Sequence, residues 1–181
     1  MPPKTLHLVR HAEGYHQITP GGDSIRDPDL TPYGIDVQCA HLRDIFPSHG
    51  SVSLLCASPL RRAIRTALVA FAPEVQRGMR VRALPDAQEA RDVPSDTGVG
   101  AEELRKTFAD DVVDYRLVAA DWYAKAGLHA TDVASLRARA RRLRRYLRDD
   151  CEGDEVVLVT HGLFAHYLTG NIDEHGEQTG Q

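Results

Sequence analysis

Four short apolar runs in this chain end in groups that can do chemistry. Residues 5–9 lead into Arg10-His11, and residues 52–57 into Ser58-Pro59-Leu60-Arg61-Arg62. Residues 81–84 are followed by Asp86 and Glu89, and residues 155–160 end in Thr160-His161-Gly162. A neutral imidazole can attack phosphorus, a guanidinium fork matches phosphate oxygens, and a carboxylic acid can protonate a departing oxygen. Together they suit phosphoryl transfer, with Arg10, Arg62 and a protonated His161 as fixed cations for the developing charge. The reading calls for no metal or other cofactor: His161 and His166 are five apart, and no H-E-x-x-H occurs.

These groups act together only if the fold brings them together. The four runs are apolar on both faces, as in Leu6-His7-Leu8-Val9 and Val156-Val157-Leu158-Val159, and so read as strands buried on both sides. Between them, helical spacing covers 33–46, 61–71, 101–126 and 132–150, and a further helix follows the last strand. Alternation of this kind predicts a three-layer α/β/α sandwich with a mainly parallel sheet, in one domain over 1–181. In such sheets ligands bind beyond the carboxyl ends of the strands, where all four groups fall. Thr31-Pro32 and Ser58-Pro59 read as N-cap plus Pro at the first helical position, and Thr131 or Asp132 as the cap of the last long helix. The Gly- and Pro-rich stretches 14–28 and 86–100 read as long functional loops.

Composition bounds the rest. The 181 residues carry 22 Lys and Arg against 26 Asp and Glu, a net charge of −4, which argues against a chain built to coat nucleic acid. Three cysteines, Cys39, Cys56 and Cys151, make neither a disulfide framework nor a C-x-x-C metal pair, so a reducing compartment fits. No apolar stretch is long enough for a membrane span, and Met1-Pro2-Pro3-Lys4 opens no signal peptide. The expectation is a cytoplasmic protein with a small phosphorylated substrate, no nucleic-acid or membrane partner, and an open oligomeric state.

Four motifs in order carry a family resemblance. Leu8-Val9-Arg10-His11-Ala12-Glu13 resembles the Arg-His-Gly signature of the histidine phosphatase superfamily, the phosphoglycerate mutase-like proteins, with Ala12 in place of Gly. Thr31-Pro32-Tyr33-Gly34 is similar to its Leu-Thr-x-x-Gly segment, and residues 57–67 to its Ser-x-Leu-x-Arg-Ala-x-x-Thr-Ala helix start. Val159-Thr160-His161-Gly162 is similar to its second histidine motif, and loop 88–98 with Gly14-Tyr15-His16 most resembles fungal and plant members of unassigned substrate. The resemblance implies a phosphomonoesterase working through a phosphohistidine on His11, with Arg10, Arg62 and His161 holding phosphoryl oxygens, Glu89 donating the proton, and no metal. His16-Gln17 stands where members often have Asn, and members continue into one more strand and a tail where this sequence stops at Gln181, so a C-terminal truncation is an expectation.

Competing readings stand beside these. A phosphoglycerate-type mutase would use the same groups, but only about 65 residues separate Glu89 from the last strand, little room for a lid that excludes water. A phosphate-binding scaffold on the same fold is the alternative from another class. Asp86 and Asp92 flank Glu89 as rival carboxyls. Ser58 lacks a G-x-S-x-G elbow and reads as a helix cap that touches phosphate. The seven arginines of 132–150 read as a solvated face beside an apolar stripe of Val133, Leu136, Ala140, Leu143 and Leu147, and Trp122 and Tyr123 as packing or as the substrate mouth. Asp23, Asp27 and Asp29 would repel a highly anionic substrate if they faced the pocket.

Overall fold

In the computed structural model, which describes residues 5–151, 153–173, 175–177 and 179, five strands form one sheet in the order β1-β5-β2-β3-β4. They are β1 (Thr5–Arg10), β2 (Leu54–Ala57), β3 (Val81–Ala83), β4 (Val113–Asp114) and β5 (Glu155–Thr160), and every pairing is parallel. Met1–Lys4 and Gln181 lie outside the described residues.

Successive side chains of a strand point to opposite faces, and here both faces are buried. The first helix is the short α1 (Tyr15–Ile18); Leu55, Ala57, Val157 and Val159 face one core, shared with α2 (Ala40–Ile45) and the helical residues just before it, α3 (Arg61–Ala70), α4 (Ala72–Gln76) and Leu104 of α5 (Ala101–Thr107). Leu54, Cys56, Val156 and Leu158 face the other, shared with α6 (Val133–Arg145) and α7 (Gly162–Thr169). The expected three-layer architecture is thus what the chain adopts. The last strand inserts between β1 and β2, so the neighbouring strands β1 and β5 come from opposite ends of the sequence.

Two of the expected helix starts hold. The Thr31 hydroxyl accepts the Gly34 N–H at 3.0 Å, ahead of a stretch that is π-helical over Gly34–Cys39 and α-helical over α2 (Ala40–Ile45). Asp132, not Thr131, caps α6 through the Ser135 N–H at 3.0 Å.

Three expectations are corrected. The single helix over 101–126 is instead α5, which ends at Thr107, followed by β4 and turns. Its apolar residues Phe108, Val113 and Tyr115 are buried, but they serve the sheet: the Val81 N–H bonds the Val112 carbonyl and β4 pairs with β3. Edge pairing outweighs a weak helical period there, since propensity yields to tertiary hydrogen bonds. Ser58 does not cap α3; the helix starts at Arg61 after an extended Leu60, and the Arg61 N–H is bonded from outside by Asp27 Oδ1 at 2.9 Å. Nor is the face of α6 wholly solvated. Arg139 lies between Leu136, Ala140 and Leu143 on the buried stripe and is itself 0% exposed.

Candidate active site

Sheet register sets the site. Arg10 pairs with Thr160 at the ends of neighbouring strands, and the His11 N–H bonds the Thr160 carbonyl at 3.0 Å, so His11 and His161 emerge side by side with ring centroids 5.0 Å apart. Ala57 pairs with Val159 one strand over, which delivers Arg62 to the same edge from the first turn of α3.

The backbone after β1 is braced on both sides. The Ala12 N–H donates to Thr66 Oγ1 at 3.0 Å, and that hydroxyl donates to the Arg62 carbonyl at 2.7 Å. The Thr31 N–H bonds the Glu13 carbonyl, and a Cβ on Gly34 would lie 2.4 Å from that carbonyl oxygen, so only glycine lets the helix approach so closely. Ala12 itself sits outside the positive-φ region, which explains why Ala serves where Gly is usual.

His11 is 7% exposed, and its hydrogen bonds define its two nitrogens. Nδ1 lies 2.7 Å from the Ala12 carbonyl, an acceptor only, so Nδ1 carries the proton. Nε2 is then the lone-pair nitrogen, and it accepts the Arg62 Nε–H at 3.2 Å. Burial, then the Arg62 charge, hold the imidazole well below its ordinary pKa, so it is neutral at pH 7.

Arg62 is 1% exposed, and one donor on each terminal nitrogen is held in a rigid frame: Nη1 to the Ser95 carbonyl at 2.6 Å and Nη2 to Asp96 Oδ1 at 3.0 Å. Asp96 also receives Arg91 Nε at 2.9 Å, and Arg91 in turn forks onto Asp23. Sequence reading missed Asp96; the only signal was a carboxylate in a loop already marked as functional.

His161 is fully buried, and neither ring nitrogen has a partner. Burial, then Arg62 and His11, hold its pKa well down, so it is neutral in the free site and not the protonated clamp expected from sequence. Two orphaned nitrogens aimed beside His11 leave hydrogen-bonding capacity for an incoming ligand. Arg10 is exposed, with its guanidinium passing alongside Gly162. The hydroxyl of Ser58 is buried and accepts only the Leu60 N–H at 3.3 Å; it joins neither His11 nor Arg62. His16 stands 5.7 Å from His11 and is driven to a pKa of about 4, mainly by burial.

Glu89 is 8% exposed and sits at the start of α7. Its Oε1 accepts the Ala90 and Phe164 N–H groups at 2.8 and 2.9 Å, while Oε2 has only a long contact of 3.3 Å with Leu163 N. The rival carboxyls stand apart: Asp86 is paired with Arg142 and His129, and Asp92 is exposed. Asp23, Asp27 and Asp29 are likewise engaged, by Arg91, the α3 N-terminus and Arg65. Among the described residues no cluster of three His, Cys, Asp or Glu side chains is placed to hold a metal ion.

Residues 6–180 match the family described as "Histidine phosphatase superfamily (branch 1)". No curated protein matches the chain in sequence. Similar solved structures include the alpha-ribazole phosphatase from Shigella flexneri, 20% identical with a TM-score of 0.59, covering 91% of this chain and 77% of that one. The ecdysone phosphate phosphatase of Bombix mori, in complex with tungstate, is 15% identical with a TM-score of 0.62, covering 91% and 75%. A mycobacterial glucosyl-3-phosphoglycerate phosphatase is 19% identical with a TM-score of 0.56, covering 92% and 80%. At these identities the likeness speaks for the fold.

Proposed function

The chain belongs to the histidine phosphatase superfamily, and from that premise we propose that it is a metal-independent phosphomonoester hydrolase acting through a phosphohistidine on His11. The observation that carries the reading is the state of His11: neutral, with Nδ1–H fixed on the Ala12 carbonyl and the Nε2 lone pair at the mouth of a buried Arg62. A nucleophile needs that protonation state and that orientation before substrate arrives.

In the first step Nε2 attacks phosphorus, the ester P–O bond breaks, and its electron pair leaves on the alcohol oxygen, which takes a proton from Glu89 Oε2. Oε2 is the oxygen with spare capacity, because Oε1 is occupied by two N–H groups. Arg10, Arg62 and the open nitrogens of His161 hold the phosphoryl oxygens, and a bound dianion would favour the protonated form of His161 that the free site disfavours. In the second step water attacks phosphorus, returns a proton to Glu89 and releases phosphate, which restores neutral His11. Ser58 has at most a supporting part in phosphate binding, since its hydroxyl is turned to the backbone of Leu60. The three similar structures named above carry phosphatase names, which favours hydrolysis over mutase chemistry. A cytoplasmic setting belongs to the same reading: the odd, unpatterned set of three cysteines fits a reducing compartment, and among the described residues no helix is long and apolar enough to cross a membrane.

The test is phosphate release from p-nitrophenyl phosphate in EDTA by wild type and His11→Ala. EDTA-resistant turnover that vanishes in the variant supports the proposal; phosphate binding without turnover of any monoester would replace it with the scaffold reading. Incubation with 3-phosphoglycerate checks the mutase: 2-phosphoglycerate forming faster than free phosphate would overturn hydrolysis.

A further inference from the structure

Glu89 is held from behind by two cations that lie outside all four sequence motifs. Lys125 Nζ donates to Gln88 Oε1 at 2.8 Å and to the Glu89 carbonyl at 3.1 Å. Arg139 Nη2 donates to the Gln88 carbonyl at 2.9 Å and to the same Glu89 carbonyl at 3.3 Å. Arg139 is fully buried over the Phe164 ring, 4.2 Å from its centroid, with Nε and Nη1 left without partners. Orphaning two guanidinium donors and crowding a second cation beside them is costly, and a fold that only needed to fill this space would do so with apolar side chains.

The chain goes to some length to deliver Lys125. Gln88 Nε2 bonds the Trp122 carbonyl at 3.0 Å, and the buried Trp122 ring is locked by its own Nε1–H on the Val99 carbonyl at 2.9 Å. Gly98 makes room for that ring: a Cβ there would stand 2.3 Å from it. The segment after β4 is therefore docked against the acid loop, with the ammonium of Lys125 at its tip.

We propose that Lys125, backed by Arg139, is a positioning residue that clamps the main chain at Gln88-Glu89 and so fixes the Glu89 carboxyl at the start of α7, where it meets the leaving oxygen. This inference rests on the hydrolase reading above. The charged groups around the Lys125 ammonium are Arg139 on α6 and Glu89, Asp92 and Asp96 on the loop, and burial with Arg139 at hand lowers its pKa to about 8. A lysine so placed is charged at neutral pH but desolvated, a setting in which its hydrogen bonds to the carbonyl and amide oxygens are strong.

A residue that positions the acid matters in proportion to how much the leaving group needs a proton. The experiment compares p-nitrophenyl phosphate, whose phenolate departs without help, with phenyl phosphate, whose phenolate is far more basic. For Lys125→Met, kcat/KM, which reports the first step alone, is expected to stay within about threefold of wild type for the p-nitrophenyl ester and to fall by about tenfold or more for the phenyl ester, a fraction of what general acid catalysis supplies. Lys125→Arg, which keeps the charge and the donors, is expected to restore much of the phenyl ester rate. Gln88→Ala, which leaves Lys125 charged but removes its side-chain anchor, provides the second variant, with the same selective loss at smaller amplitude. Equal losses on both esters in folded variants, or no loss on either, would overturn the inference. Failure of the hydrolase reading looks different: wild type would then hydrolyse neither ester, or His11→Ala would retain its activity, and the proposed clamp would fall with it.

Discussion

Asp96 holds Arg62 at 3.0 Å with both side chains almost wholly withdrawn from water, and Arg62 in turn touches Nε2 of His11. The position of the guanidinium at the proposed nucleophile is thus decided by a carboxylate from a distant loop. Removing one partner of a buried pair leaves the other charge uncompensated. Asp96→Ala is expected to lower stability by roughly 3–5 kcal/mol, and to cut kcat by about a hundredfold, the scale of a 1 Å misplacement near the reacting atoms. Denaturant unfolding and p-nitrophenyl phosphate turnover read the two effects. Unchanged stability would mean that the pair is not closed in solution.

Acid should weaken the fold through its histidines. His11 and His161 are held well below the ordinary value and His16 at about 4, all with burial as the main cause. The unfolded chain binds protons at these side chains near pH 6.5 while the native state does not, so stability is full above about 6.5 and is lost as pH falls below it. Urea midpoints measured from pH 7.5 down to 5 are expected to fall. A flat profile would contradict the neutral state of buried His11 and His161 and half-buried His16.

Asp27 should act in the opposite sense. Burial raises its pKa to about 6, so its native state keeps a proton that the unfolded chain has lost, and its contribution declines as pH rises from about 4 to 6. Its Oδ1 accepts the Arg61 N–H and its φ is +44°, both compatible with asparagine, while Oδ2 has no hydrogen bond. Asp27→Asn is expected to raise the urea midpoint more at pH 8 than at pH 5, where part of the wild-type carboxyl is already neutral. A larger gain at pH 5 would reverse the assignment.

Gly98 should tolerate no side chain. Because Trp122 is the sole tryptophan, its fluorescence reports directly on the packing that a Cβ at Gly98 would displace. Gly98→Ala is expected to cost about 1–3 kcal/mol, the range of overpacked cores, with a shift of emission toward that of exposed indole. An unshifted spectrum with wild-type stability would show that the ring has room to spare.

As a remote control, Asp132→Ala removes the N-cap of α6 at a cost of about 1 kcal/mol. Asp132 is exposed and takes no part in the site, so kcat is expected to stay at the wild-type value while thermal unfolding shifts down.

The sequence alone determined the layers and the four strand ends, because a parallel sheet covered on both faces demands unbroken apolar runs, and because the Arg-His and Thr-His groups close their runs directly while Arg61-Arg62 follows after only three residues. It also pointed to Glu89 by resemblance, though Asp86 and Asp92 were chemically equal rivals. Only the tertiary structure sets the three apart, by pairing Asp86 with Arg142, leaving Asp92 exposed and holding Glu89 at the start of α7. It likewise decided that 113–114 is a strand, since a two-residue edge needs β3 to bond to and has no period of its own. Asp96, Lys125 and Arg139 were illegible for a related reason. A charged side chain reads as solvated until something buries it, and what buries these three comes from elements far away in sequence. For Arg139 alone a trace was present, since Leu136, Arg139, Ala140 and Leu143 keep the i, i+3, i+4, i+7 spacing of a buried stripe. Local pattern fixes which face of an element turns inward; which charges meet there is settled by long-range contacts that no local spacing encodes.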